Sequence, residues 1–184
     1  MFAGIQSLDI SSEKTRLLLT HIVSNVILGL YPHHKATQQE QLKIKTFYLT
    51  ILKSFPTRIS VHATLIALLY IKRLTDSMQI KLHPDSVLSV IVVAFILADI
   101  NVNDSEIPTH IWSQVSGLSK VEIVLMKREF LNSIGYQLHV SAEQYAYWIK
   151  CIASYMKPLN TLAKPSNLPS SFNNNNTSYN NMIS

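Results

Sequence analysis

The sequence predicts an all-α protein, and three observations lead there. Apolar residues recur at three- and four-residue spacing through seven successive segments; no run shows the regular alternation of a half-buried strand; and only 4 glycines occur in 184 residues, too few for a turn-rich β fold.

The first helix follows Ser11 and Ser12, with apolar positions Leu17, Leu18, Ile22, Val23, Val26, Ile27 and Leu30, and stops at Tyr31-Pro32. After a loop from His33 to Thr37, a second helix runs from Gln38 to about Ser54, where Phe55-Pro56-Thr57 breaks it. Ser60 caps a third helix to about Met78 that is apolar on most sides. Pro84 and Asp85 open a fourth to about Ile100, followed by a polar connector from Asn101 to Ile107. A short helix from Pro108 to about Ser116 ends at Gly117. Ser119 with Glu122 forms a capping box for a helix to about Ile134, closed by Gly135. The last helix spans Ser141 to about Met156. Beyond Pro158 come prolines, serines and six asparagines between Asn173 and Asn181, a composition that cannot offset chain entropy by burial, so 158–184 is expected to be disordered.

Composition narrows the function classes. The apolar run from Val87 to Ala98 falls well short of the about 20 residues a spanning helix needs, so it reads as a core helix and no membrane partner is expected. A single cysteine, Cys151, excludes an internal disulfide and, with no secretory leader pattern at the amino terminus, points to the nucleus or cytoplasm. The net charge of +5 is uneven: Lys35, Lys43, Lys45, Lys53, Arg58, Lys72 and Arg73 face the single acid Glu40 between residues 35 and 73. That stretch leans toward an acidic partner, although a solvated helix face is the favoured reading of it. Its basic residues are not interleaved with an aromatic platform, so nucleic acid is not an expected partner.

Catalytic signatures are lacking in the sequence. The glycines stand apart, so no phosphate loop is present; the histidines form no i, i+4 pair and have no cysteine companions for zinc; and Cys151 lies inside an amphipathic helix as a structural thiol would. Asp99, Asp104 and Glu106 sit around the connector, but no phosphate-binding groups accompany them for a hard cation. No catalytic residue, metal or cofactor is expected, and binding is the better reading.

Five stretches then resemble, in order, a cyclin box, in particular that of the fungal phosphate-pathway (PHO/PCL-type) cyclins. Tyr70-Ile71-Lys72-Arg73-Leu74 is similar to the family's Tyr-Ile-Asp-Arg-Leu; Ala98-Asp-Ile-Asn-Val-Asn-Asp104 to its Ala-Ser/Thr-Lys-x-x-Asp-Asp; Ile111-Trp112 with Val115-Ser116-Gly117-Leu118-Ser119 to its short fourth helix and exit. Met126-Lys-Arg-Glu-Phe-Leu131 and Ile134-Gly-Tyr-Gln-Leu-His-Val-Ser141 resemble its fifth helix and the stretch after it. The resemblance covers roughly His21 to Trp148.

It implies a five-helix cyclin box with an additional amino-terminal helix and a carboxy-terminal helix: an amino-terminal packing segment over 1–34, a cyclin-like domain over 35–157 and the tail. It further implies a non-catalytic subunit of a cyclin-dependent protein kinase, with contacts mapping to Ile100 and Asn101 and to Lys127, Leu131, Tyr136 and Leu138. Lys43 and Lys45 would recruit acidic or phosphorylated substrates. Three positions depart from the family: Lys72, Ile100 and Lys127 stand where it carries Asp, Lys and Glu. Losing the Lys and Glu removes charge-assisted bonds worth on the order of 1.5 to 3 kcal/mol, which leaves open a degenerate cyclin fold that binds a non-kinase partner as a scaffold. A connector shifted by one residue puts Asp99 at the family's lysine, and then Asp99 and Lys127 would form a charge-swapped ion pair.

Overall fold

The structure, a computed structural model, describes residues 9–30, 37–78, 86–103 and 105–155. Those residues form seven α-helices: α1 (Glu13–Gly29), α2 (Gln38–Ser54), α3 (Val61–Met78), α4 (Val87–Val102), α5 (Thr109–Ser116), α6 (Lys120–Ser133) and α7 (Ala142–Tyr155). Among the described residues there is no strand. The expected tail, the His33-His34 loop, and Pro84 and Asp85 lie outside the described residues.

Helix starts follow the local chemistry. Ser60 caps α3, its Oγ accepting from Ala63 N at 3.0 Å. The Ser119–Glu122 box is complete: Glu122 N donates to Ser119 Oγ at 3.2 Å, and Ser119 N donates to Glu122 Oε2 at 2.7 Å. The Ser119 hydroxyl, and then its backbone N–H, bond the Glu122 carboxyl and hold it below its ordinary range. Thr37 and Glu40 form a second such box, and Ser141 and Gln144 exchange the same two bonds at α7.

The core is the α3–α4 pair, the most extensive interhelical contact. Every residue from Ala63 to Ile71 and from Ile91 to Asp99 is buried, so both helices are covered on all sides, as helices without a polar face must be. Around them pack α1 and α6 against α3, α5 and α6 against α4, with α2 and α7 braced on α1. Phe55 packs on the buried Trp112 with the rings tilted by 43° and their centroids 4.5 Å apart, and Trp148 Nε1 donates to Leu65 O at 2.8 Å, tying α7 to the centre.

Two expectations need correction. First, α4 does not stop at Ile100: Asn101 and Val102 are helical, because Val102 packs on the core and Asn103 N closes the last turn onto Asp99 O at 2.9 Å. Second, not all the periodic leucines face inward. The buried face of α1 is Leu19, Ile22, Val23, Val26 and Ile27, leaving Leu17 outward, as is Leu42 on α2. No helix among the described residues is long and apolar enough to cross a membrane.

Candidate functional site

The connector between α4 and α5 is held from both sides by charges that the sequence placed far apart. Asp99 is fully buried in the last turn of α4, where the helix dipole disfavours an anion. Its carboxylate accepts from Arg58 Nη2 at 3.0 Å, Asn103 Nδ2 at 2.8 Å and Ile107 N at 3.3 Å. Arg58 also donates from Nη1 to Ser105 Oγ at 2.8 Å, and Asn103 Nδ2 reaches Arg58 O at 3.2 Å. Across the connector, Lys127 Nζ donates to Glu106 Oε1 at 2.8 Å.

The Asp99–Lys127 pair is therefore not what forms. Each residue takes a different partner, since Asp99 faces the α2–α3 turn that carries Arg58 while Lys127 faces the outer rim of the connector at Glu106. Asp99 finds its cation and Lys127 its anion in residues 41 and 21 positions away.

Lys127, Leu131 and Tyr136 line one groove of about 200 Å³, closed by Ile96 of α4 and by Glu106 and Thr109 of the connector and α5. The exit of α6 brings two of them together. Tyr136 N donates to Leu131 O at 2.8 Å and Gly135 N to Asn132 O at 3.1 Å, the paired bonds of a Schellman motif, and both side chains line the groove. Gly135 is left-handed at φ +60°, and so is Tyr136 at φ +56°, a conformation that costs a residue with a side chain about 1–2 kcal/mol. Tyr136 nonetheless stays 62% exposed.

The segment after it is fastened to α3. Tyr70 Oη donates to Leu138 O at 2.7 Å; Arg73 donates to Gln137 O, to His139 O at 3.1 Å and to Gln144 Oε1 at 3.3 Å. Burial pushes the Tyr70 hydroxyl up to about 12 despite the nearby guanidinium.

The structure separates the other expected contacts from this groove. Asn101 lines a second, open depression of about 620 Å³ with His62 and Tyr145, whose rings meet edge-on at 4.6 Å; burial lowers the His62 pKa and raises that of Tyr145 to about 12. Ile100 and Leu138 are partly buried and pack on the core.

The basic run also divides. Arg58 points inward to Asp99, Lys72 pairs with Asp76 one turn on, and Arg73 caps the Gln137 and His139 carbonyls, so these three serve the fold. Lys43 is exposed on α2 and Lys45 half-buried beside it, and Lys35 lies outside the described residues. Among the described residues, no group of three or more His, Cys, Asp or Glu side chains could hold a metal ion. Cys151 is only partly buried.

What sequence reasoning missed is the outer face of α6. Val121, Val124 and Leu125 are 67%, 58% and 42% exposed, an apolar face that joins the groove through Val124. The signal was the i, i+3, i+4 spacing of three apolar residues on a helix already buried through Ile123 and Phe130 on its other side. No protein-family model matches the chain, and no curated protein matches it in sequence.

Proposed function

We propose that this chain is a cyclin-like regulatory subunit that binds a cyclin-dependent protein kinase and modulates its activity or its choice of substrate, working in the nucleus or cytoplasm. The observation that carries the reading is the exposed apolar face of α6 running into the groove of Lys127, Leu131 and Tyr136, where the resemblance implies kinase contacts. Large exposed apolar side chains grouped on one helix mark protein-binding surfaces, and a groove along a helix suits a partner helix. Supporting it are the helix order and the buried α3–α4 centre, which agree with a cyclin box. Lys43 and Lys45 on α2 would recruit acidic substrates.

One observation favours a second reading, a cyclin fold serving as a scaffold for a non-kinase protein. Lys72 and Lys127, at two of the family's charged positions, are engaged by Asp76 and Glu106. Affinity purification of the tagged chain with a kinase assay decides between them. A stoichiometric kinase whose activity changes on adding the chain, and whose capture is lost in Leu125→Asp, supports the first reading; a kinase-free complex overturns it.

A further inference from the structure

The exposed face of α6 carries one charge, and among the described residues that charge has no partner. At about 100° per residue, Val124, Arg128, Val121 and Leu125 succeed one another around the helix within about 100° of arc, so Arg128 stands among the apolar side chains. Its neighbours three and four positions away are Leu125, Leu131, Val124 and Asn132, none of them acidic. Glu106, the acid across the groove, is taken by Lys127, and among the described residues Arg128 makes no hydrogen bond or ion pair.

We infer that Arg128 is the charge-reading residue of this docking face, and that the face takes a partner helix carrying a single carboxylate within an apolar stripe. This rests on the reading of the α6 face as a docking surface. A planar guanidinium set in apolar surroundings and closed off from water binds a carboxylate through two parallel bonds, and it penalises an uncharged partner that leaves it buried without one. Lys127 does not compete, since Glu106 already neutralises it. A second copy of the chain fits poorly, because the face offers no acid of its own: Glu122 and Glu129 lie about 100° or more around the helix from Arg128.

The test uses the full chain and two synthetic helical peptides, each with a leucine stripe on one face, one carrying a central Glu in that stripe and the other a Gln. Titration calorimetry is expected to give at least about tenfold tighter binding of the Glu peptide, one charge-assisted bond's worth. The preference is expected to vanish in Arg128→Gln, to weaken in Arg128→Lys and to survive in Lys127→Met. Equal binding of the two peptides, no binding of either, or a preference that persists in Arg128→Gln overturns the inference. Far-UV circular dichroism of each variant separates a lost contact from a lost fold. Kinase capture without peptide discrimination removes this inference and leaves the proposed function; discrimination without any kinase does the reverse.

Discussion

Replacing Arg58 by alanine tests whether the fold depends on the charge network at the end of α4. Asp99 is 0% exposed and its carboxylate relies on Arg58, Asn103 Nδ2 and Ile107 N. Without the guanidinium, two neutral donors remain for a buried charge. Breaking a buried pair from one side costs about 3–5 kcal/mol, and because the Arg58 side chain is 31% exposed, water can enter the space it leaves, placing the loss near about 3 kcal/mol. For a chain of this size, that lowers the melting temperature by about 6–12 °C. Asp99→Asn removes the charge but keeps the shape, and Arg58 retains Ser105, so its cost is about 2 kcal/mol. The two sites are in contact, so the double variant is expected to lose at least about 1 kcal/mol less than the sum. Urea unfolding monitored by far-UV circular dichroism on all four proteins gives the cycle. A loss below about 1 kcal/mol for Arg58→Ala, or additivity within about 0.3 kcal/mol, would show that the pair is a surface contact of little weight, contrary to the burial of Asp99.

The groove and the depression beside it give two further expected outcomes. Tyr136→Gly relieves the left-handed strain of about 1–2 kcal/mol at an entropic cost of about 0.5–1 kcal/mol, so urea unfolding should show no loss of stability, whereas partner capture should fall sharply; a destabilisation above about 1 kcal/mol would mean that Tyr136 packing outweighs its strain. Tyr70 and Tyr145 titrate at about 12 in the fold against an ordinary 10.0, so above pH 10 the unfolded chain releases these protons first and stability falls as pH rises through that window. Because the Tyr145 hydroxyl is buried with no hydrogen-bond partner among the described residues, Tyr145→Phe should be neutral or stabilising at pH 7 and should blunt the alkaline loss; urea midpoints at pH 7 and pH 11 check both, and a clear loss at pH 7 would reveal a partner.

Helices were legible because each has a local cause. Ser60, Ser119 with Glu122, Gly117 and Gly135 set boundaries through bonds or backbone angles within five residues, so the sequence alone places those ends. The grouping of Leu131 with Tyr136 was legible for the same reason, being enforced by one helix exit. Charge partners were not. Sequence reasoning can say that an anion at the end of α4 needs a cation, but Arg58 is 41 residues away and Lys127 is 28, and only the packing of the α2–α3 turn under the connector selects the first. Arg58 was hidden further by its place in a run of basic residues that reads as solvated. The outer face of α6 was missed because a helix with apolar residues on two sides gives no single stripe from which to read burial.

The choice of partners changes what the departures from the family pattern mean. Lys127 stands where the resemblance implies an acid that meets the kinase, and taken alone it looks like a reversed contact. In the fold its charge is met by Glu106, next to Ser105, which Arg58 holds together with Asn103, so the connector has an ion pair at each edge. A glutamate substituted at position 127 would therefore set two carboxylates against each other at the rim of the groove and disturb it whether or not a partner touches that residue. Lys127→Met with Glu106→Gln removes the pair without leaving a lone charge. If that double variant still captures its partner, the Lys127–Glu106 pair is not part of the recognition, and under the proposed reading the apolar face of α6 and Arg128 carry it.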